Sequence, residues 1–178
     1  MPAIATHLLC LESGARFTAR PIRPDDKPAL SCFFERLSLE SRRRRFLGPK
    51  PRLTTRDLAF LTEVDQCTHV ALAAIDAEGA IVAVARYAPW VDRPGHAEFA
   101  VAVVDEWHGR GLGTALGEAL LAHARRTSVV ALTGSTLSDN APARALLRRL
   151  GFKRVGIASG VAEYVLALRG GGALPAAA

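Results

Sequence analysis

The segment from Ala97 to Arg126 constrains the fold more than any other part of the chain, because a glycine-rich turn joins an apolar run to a helical pattern. Residues 97–104 are apolar apart from Glu98, which predicts a central strand covered on both faces. From residue 111 to 126 the apolar positions recur at helical spacing. Glycines at 109, 111 and 113 let the backbone approach a ligand closely, and the free N–H groups and dipole of a helix start favour phosphate. This segment therefore predicts a phosphate-binding turn.

Two common nucleotide-binding patterns do not fit this turn. A P-loop needs a lysine before its Ser or Thr, but Gly113 precedes Thr114. A dinucleotide fingerprint needs GxGxxG, and here the third glycine falls one residue early with no acidic residue about twenty positions further on. The phosphate must belong to another kind of ligand.

The rest of the chain reads as alternating short strands and helices in one domain, expected over residues 15–169. Residues 1–14 show no helical or strand periodicity and are expected to form an arm or an added piece at the edge, and residues 170–178 a flexible tail. Patterning predicts strands at 15–23, 69–75, 80–87, 129–137, 152–158 and 161–168, and helices over 27–37, from Thr54 or Thr55, and between Asn140 and Gly151.

Composition narrows the class of protein. The three cysteines are far apart and form no CxxC or Cys/His cluster, which argues against zinc and against a disulfide framework and favours a reducing cytoplasm. The first residues have no basic segment before their short apolar patch, and no run approaches about 20 apolar residues, so we expect a soluble, intracellular protein without a membrane partner. The net charge of +6 suits an anionic ligand or an acidic partner, whereas 6% aromatic residues and no long basic tail give little support to nucleic acid.

A basic segment at residues 41–52, SRRRRFLGPKPR, has two interpretations. It could be a solvated connector whose charges face water. Alternatively, some of its cations could line the entrance for an acceptor or pair with a cofactor phosphate. The sequence alone does not choose between them.

The segment from Glu98 to Phe152 resembles the GNAT superfamily of N-acetyltransferases. The family's turn, [Q/R]xxGx[G/A], appears here as residues 108–113, HGRGLG, with His108 where Gln or Arg is usual. It is followed by Asn140-x-x-Ala143 and then by LGF at 150–152. More narrowly, residues 20–152 resemble the catalytic domain of Pat-type bacterial protein lysine acetyltransferases, through RPIRPDD, FFERLSLESRRRRFLGP, VARY and AEFAVAV leading to WHGRGLG.

This resemblance implies an α/β (α+β) fold with a mixed, mostly antiparallel sheet of about six or seven strands and about four helices. It implies acetyl-CoA as co-substrate, with no metal. The backbone of the strand would pair with the pantetheine arm and the turn would bind the pyrophosphate. The implied cofactor residues are Val101, Val103, His108, Gly109, Arg110, Gly111, Leu112, Gly113, Thr114 and Asn140. Some members of the family pair through sheet edges, so the resemblance leaves a homodimer open.

The chemistry of amine acetylation points to Glu98. A lysine ammonium has a pKa of about 10.4, so attack on a thioester at neutral pH needs a proton acceptor near the amine. Glu98 is the only acid in the strand before the turn, and the resemblance places a catalytic glutamate there. The alternative is an exposed or ion-paired structural carboxylate. An oxyanion donor is expected among the strand N–H groups at residues 99–101.

The leaving thiolate has no obvious proton donor in this sequence. Many GNAT enzymes place a tyrosine in the last helix, and the matching residue here is Leu147. Tyr87 and Tyr164 are only remote candidates, His96 could orient Glu98, and His123 reads as a packing residue.

The leading hypothesis is therefore an acetyl-CoA-dependent N-acetyltransferase with a protein lysine as acceptor. A second hypothesis keeps the cofactor but makes the acceptor a small amine. A third is a catalytically idle acyl-CoA sensor or partner-binding module that uses the same pocket.

Overall fold

One parallel pairing interrupts an otherwise antiparallel eight-stranded sheet in the computed structural model, which describes residues 4–169. The strands are β1 (His7–Cys10), β2 (Arg16–Pro21), β3 (Val70–Ile75), β4 (Ile81–Pro89), β5 (His96–Val103), β6 (Ala131–Leu137), β7 (Lys153–Ala158) and β8 (Val161–Ala167), and the helices are α1 (Lys27–Arg36), α2 (Leu39–Phe46), α3 (Thr55–Thr62), α4 (Leu112–Ala124) and α5 (Ala141–Arg149). The strand order is β1-β2-β3-β4-β5-β6-β8-β7, and β5 and β6 form the parallel pair.

Helices cover both faces of this sheet. The apolar stripe of α1, which includes Leu30, Phe33 and Phe34, packs with α2 and α3 on the face that carries Val84 of β4. The start of α4 lies on the opposite face, where a Cβ at Gly117 would be 3.5 Å from Phe99. Because successive side chains of a strand point to opposite faces, β4 and β5 are covered on both sides. This confirms the central strand predicted from its apolar run.

The sequence predicted the mixed, mostly antiparallel fold correctly but undercounted its elements, since residues 4–169 contain eight strands and five α-helices. The predicted strands and helices all occur, with ends within two residues of those expected. The added strand is β1, which pairs with β2 at one edge of the sheet. The expected tail at 170–178 lies outside the described residues.

The helix that the sequence analysis missed is α2, inside the basic segment. It begins after Ser38, whose hydroxyl accepts the N–H of Ser41, and it ends at Leu47 with a left-handed φ of 55°. Glu40 pairs with Arg43 and Arg44 at the i+3 and i+4 positions. Capping and charge pairs thus support this helix, which carries no apolar stripe for a periodicity search to detect.

An ion pair between β2 and the turn before α1 fixes the first helix on the sheet. The guanidinium of Arg20 donates to both carboxylate oxygens of Asp26 at 2.7 Å, and the backbone N–H of Arg23 donates to Asp26 Oδ2 at 2.8 Å. The Arg20 guanidinium holds the pKa of the Asp26 carboxyl below its usual range. Asp26 is only 8% exposed, so water can replace little of this network.

Replacing Asp26 by Asn should lower the free energy of unfolding at pH 7 by about 2 kcal/mol, because a buried charged hydrogen-bond network is lost. A lowered folded-state pKa means that this stabilisation is complete above the unfolded carboxyl pKa of about 3.9 and disappears as the pH falls through the folded value. Urea unfolding of the two proteins at a series of pH values measures the difference.

Glu106→Gln is the control, because Glu106 pairs with Arg36 on an exposed surface. That change should cost less than about 1 kcal/mol at any pH. If Asp26→Asn and Glu106→Gln lower the free energy of unfolding equally, the Asp26 network stabilises the fold no more than an exposed ion pair does.

Candidate active site

The parallel strands β5 and β6 pair over only part of their length. His96, Ala97 and Glu98 lie opposite the first three residues of β6. From Phe99 onward, β5 pairs with β4 alone, while β6 continues its pairing with β8 as far as Leu137. A gap therefore opens in the middle of the sheet immediately after Glu98.

Backbone groups of β5 alternate between β4 and this gap. The N–H of Val104, just past the strand, donates to a carbonyl on β4 at 2.9 Å. The carbonyl of Ala97 faces the other way and accepts a hydroxyl from β6 at 3.4 Å. Since these directions alternate along a strand, the odd residues Phe99, Val101 and Val103 turn their N–H and C=O groups toward the gap. Strand N–H and C=O groups on this side of β5 are thus open to a ligand.

The glycine turn between β5 and α4 presents a second set of backbone donors. Gly109 and Gly111 have φ values of 71° and 89°, a left-handed conformation that other residues adopt only with strain. No side chain of the described residues caps α4, and its first backbone bond runs from Ala115 N to Gly111 O. The N–H groups of Leu112, Gly113 and Thr114 therefore have no intrahelical acceptor.

Close packing brings this helix start beside the gap. A Cβ at Gly113 would lie 3.3 Å from Val103 Cγ2 and 3.7 Å from Val101 Cγ1. A side chain at position 113 would therefore require Val103 to move by a few tenths of an ångström. The donors of the turn and the open backbone of β5 consequently belong to one continuous surface.

His108 and Arg110, the polar side chains of the turn, both have partners within the protein. His108 Nε2 lies 2.8 Å from the carbonyl oxygen of Val103, and this contact occupies the last gap-facing acceptor of β5. The Arg110 guanidinium lies over the Trp107 ring, 5.1 Å from its centroid. In this arrangement the turn offers a phosphate its backbone N–H groups rather than the His108 ring.

Helix α5 begins after Asn140, which is 6% exposed. Its Oδ1 accepts the Ala143 N–H at 3.2 Å and caps the helix. Hydrogen bonding to Oδ1 fixes the amide orientation and leaves the Nδ2 hydrogens as the donors that a ligand could use.

No tyrosine hydroxyl stands at the position where the resemblance would place a proton donor. Leu147 is buried, with its Cδ2 3.0 Å from the point that a Cβ at Gly134 would occupy. Tyr87 is fully buried on the α4 face, stacked with His123, and burial raises the pKa of Tyr87 to about 12. Tyr164 is also buried, on β8 opposite Gly134.

Glu98 is exposed at the point where β5 and β6 separate. Among residues 4–169 its carboxylate forms no ion pair within 4.0 Å and accepts no hydrogen bond. His96, which could have oriented it, instead places Nδ1 3.3 Å from the carbonyl of Pro94. The carboxylate is thus open to solvent, which both the general base and the exposed structural carboxylate would show, and its role as a base stays a prediction.

Of the four consecutive arginines of α2, three contact other parts of the protein and one lines a cavity. Arg42 donates to three backbone carbonyls around the ends of α1 and α2, and Arg43 and Arg44 pair with Glu40. Arg43 also reaches Asp139 before α5 at 3.4 Å, which ties α2 across to the far side of the gap. Arg45 is the one that lines a cavity, so neither interpretation of the basic segment describes all four side chains.

That cavity, of about 30 Å³, lies between α1, α2, α3 and the sheet face that carries Glu98. Its cations are Arg45 and Arg86, and the other lining residues are Leu30, Phe33, Phe34, Leu37, Phe46, Leu53, Leu61, Val84 and Ala102. Arg86 is a functional candidate that the sequence patterns did not single out. The available signal was a single charge inside the apolar strand VAVARYA.

In the part of the chain that the structure describes, no helix is long and apolar enough to cross a membrane. Within the same residues, no group of three or more His, Cys, Asp or Glu side chains is placed to hold a metal ion.

Known proteins match both this sequence and this fold. The acetyltransferase (GNAT) family matches residues 34–152. Acetyltransferase PA5475 of Pseudomonas aeruginosa is 31% identical over 145 residues, which cover 80% of this chain and 77% of that protein. Acetyltransferase Pat of Mycolicibacterium smegmatis is 32% identical over 146 residues, which cover 79% of this chain and 42% of the relative. The crystal structure of the GNAT domain of S. lividans PAT superposes with a TM-score of 0.87 at 30% identity, covering 94% of this chain and 99% of that one.

Proposed function

This chain belongs to the GNAT family of acetyltransferases, and we propose that it transfers the acetyl group of acetyl-CoA to a protein lysine with Glu98 as general base. The observation that carries the proposal is the position of Glu98. It is an exposed, unpaired carboxylate at the point where β5 leaves β6, beside backbone donors that suit an acyl-CoA. Acyl transfer itself follows from the family, and the acceptor and the base are the proposed parts.

The glycine turn would hold the pyrophosphate of acetyl-CoA. Backbone N–H groups from Gly109 to Thr114, together with the positive end of the α4 dipole, suit a doubly charged anion. A ligand with amides, such as the pantetheine arm, could pair with the backbone of Val101 and with the N–H of Val103, whose carbonyl already contacts His108. Asn140 would complete the site from α5 through its Nδ2 hydrogens.

Glu98 would take the proton that the attacking amine loses. The amine must be neutral to attack, and a carboxylate within reach, directly or through one water, removes its proton as the N–C bond forms. An N–H of β5 at residues 99–101 would stabilise the negative charge that develops on the thioester oxygen. The C–S bond then breaks, and the amide product and coenzyme A separate.

The departing sulfur needs no tyrosine in this scheme. A thiol has a pKa near 8.5, so a thiolate is a tolerable leaving group at neutral pH and can take its proton from water. Many GNAT enzymes carry a tyrosine at the helix position that Leu147 occupies here. A leucine at this position is consistent with departure of the thiolate without a side-chain acid.

A protein acceptor is supported by the resemblance of residues 20–152 to Pat-type enzymes and by the surroundings of Glu98. The loop after β4 exposes Trp90 and Val91, which are 43% and 94% exposed. Trp90 Nε1 donates to the hydroxyl of Thr133, the residue directly opposite Glu98, at 2.9 Å. An apolar platform next to an open carboxylate suits a lysine presented on a protein surface.

Three further parts of the proposal rest on the sequence. We assign residues 15–169 to a single catalytic domain and place the protein in the cytoplasm, where Cys10, Cys32 and Cys67 would stay free thiols. A homodimer would form through a sheet edge, and the outer strands available for this are β1 and β7.

Glu98→Gln should lower kcat/KM for acetyl transfer by about 100-fold or more, since general bases contribute 10²–10⁴-fold. Acetyl-CoA affinity should stay unchanged, and the deficit should shrink at high pH as the amine loses its proton unaided. Thiol release at saturating acetyl-CoA measures the rate, and calorimetry measures the binding.

Glu163→Gln is a matched control, because Glu163 is another exposed glutamate in a strand, on β8. Its activity should equal that of the wild type. If the Glu98→Gln and Glu163→Gln variants turn over equally fast, Glu98 is not the base.

Gly111→Asp should weaken acetyl-CoA binding by about 100-fold, because it places a negative charge and a strained residue where the pyrophosphate would bind. Gly79→Asp imposes the same kind of strain, at φ 84°, in the turn between β3 and β4 with open space around it. Calorimetric titration of both variants separates strain from charge at the site. Unchanged affinity in the Gly111→Asp variant would refute the assignment of this turn.

The acceptor class can be decided by a thiol-release screen with acetyl-CoA against lysine peptides, whole proteins and small amines, with mass spectrometry of the products. Acetylated protein lysines support the proposal. If only small amines are acetylated, the second hypothesis replaces the proposal. If acetyl-CoA binds but no acceptor causes thiol release, the sensor hypothesis replaces it.

A further inference from the structure

The cavity on the Glu98 face is lined by two cations and by no carboxylate. Arg86 is 4% exposed, and Arg45 is half-buried. Neither guanidinium forms an ion pair within 4.0 Å in residues 4–169, whereas Arg43 and Arg44, on the same helix as Arg45, both pair with Glu40. Burying an uncompensated charge is costly, so such a pair is expected to serve an anion from outside.

The protein contacts of Arg86 leave most of its hydrogen-bonding capacity unused. Nη2 donates to the carbonyl of Leu61 at 2.8 Å, and Nη1 lies 3.4 Å from His69 Nε2. A guanidinium has five N–H donors, so three remain after these two contacts. Leu61 and His69 thus fix the orientation of Arg86 without neutralising it.

His69 adds no charge to the cavity. Burial and the neighbouring Arg86 lower the pKa of His69 to about 4, so the imidazole is neutral and can only accept from the guanidinium. Burial, followed by the charge of Arg45, lowers the pKa of Arg86 to about 9. Arg86 is therefore charged at neutral pH, and the charge of Arg45 repels it in apolar surroundings.

The sheet register puts this pair next to the proposed base. Arg86 lies opposite Ala100, and Ala88 lies opposite Glu98, so Arg86 and Glu98 are diagonal neighbours on one face. Such neighbours have Cβ atoms about 7 Å apart. Arg45 approaches from α2, close enough for the Glu98 carboxylate to raise its pKa against the lowering effect of burial. One acceptor could therefore contact Glu98 with its amine and the arginines with an anionic group.

We propose that Arg45 and Arg86 form a carboxylate-recognition subsite, and that the acceptor is an amine which carries a carboxylate close to its nitrogen. This inference rests on the proposed function, because it takes the Glu98 face as the acceptor side. About 30 Å³ is room for one or two water molecules, so the cavity admits a group of carboxylate size and not a whole acceptor. Its apolar lining strengthens the attraction between the anion and the two cations.

Two sources could supply this carboxylate. One is an acidic side chain next to the target lysine of a protein, and the other is the α-carboxylate of a free amino acid. Both present a planar anion that a guanidinium binds with two parallel hydrogen bonds. The experiment has one arm for each source.

The test measures binding of matched product analogues to the full chain in the presence of coenzyme A. One pair is N-acetyl-L-leucine and its amide, and the other is an acetyl-lysine peptide with Glu or Gln beside the modified residue. In one pair, the carboxylate member should bind about 10- to 100-fold more tightly, the range expected for a hydrogen-bonded charge pair. The preferred pair identifies the source, and equal binding within both pairs overturns the proposal.

Arg45→Gln should remove most of this preference and leave the affinity for the uncharged member unchanged. A purely structural role of Arg45 would weaken both members alike, which would also overturn the proposal. Arg44→Gln is the matched control on the same helix, since Arg44 pairs with Glu40, and it should keep the full preference. Arg45 is used for the test because the more deeply buried Arg86 also holds α3 and could affect folding.

Turnover of the corresponding unacetylated amines separates this inference from the proposed function. A binding preference for the carboxylate without any acetylation would refute the function and keep the subsite. Acetylation of both members with equal kcat/KM would keep the function and refute the subsite.

Discussion

The parallel pairing of β5 with β6 ends after three residues, and the position of that end sets the geometry of the whole site. A strand that loses one neighbour must find other partners for its backbone groups or leave them to a ligand. From Phe99 onward the gap-facing groups of β5 are in this situation, apart from the Val103 carbonyl, which contacts His108. Glu98 stands at the last paired position, where a carboxylate meets both the open backbone and solvent.

The glycine turn depends on the same constraint. Gly113 lets α4 rest directly on Val101 and Val103, so the uncapped helix start lies beside the open edge of β5. A larger residue would crowd Val103 and disturb the close approach of the helix to the strand. Close packing at one glycine therefore turns two ordinary local features, a helix start and a strand edge, into a single surface for a long ligand.

The arginines show how position decides the role of identical side chains. On α2, helical spacing directs Arg43 and Arg44 to Glu40, whereas Arg45 turns toward the sheet. On β4, strand alternation directs Arg86 to the face that α1, α2 and α3 cover, so its charge is buried. Neighbouring residues in the chain thus reach opposite electrostatic environments, one solvated and one apolar.

Short windows of sequence were enough to predict most of the local structure. Seven of the eight strands, four of the five helices and the donors at the start of α4 follow from periodicity, caps and turn residues. The same local pattern singled out Glu98. Helix α2 escaped because caps and ion pairs support it without an apolar stripe. Three features were decided only by the tertiary structure: the unpaired Glu98 carboxylate, the contact of His108 with Val103, and the cavity lined by Arg45 and Arg86. Each depends on contacts between separate elements, which a local sequence pattern does not record.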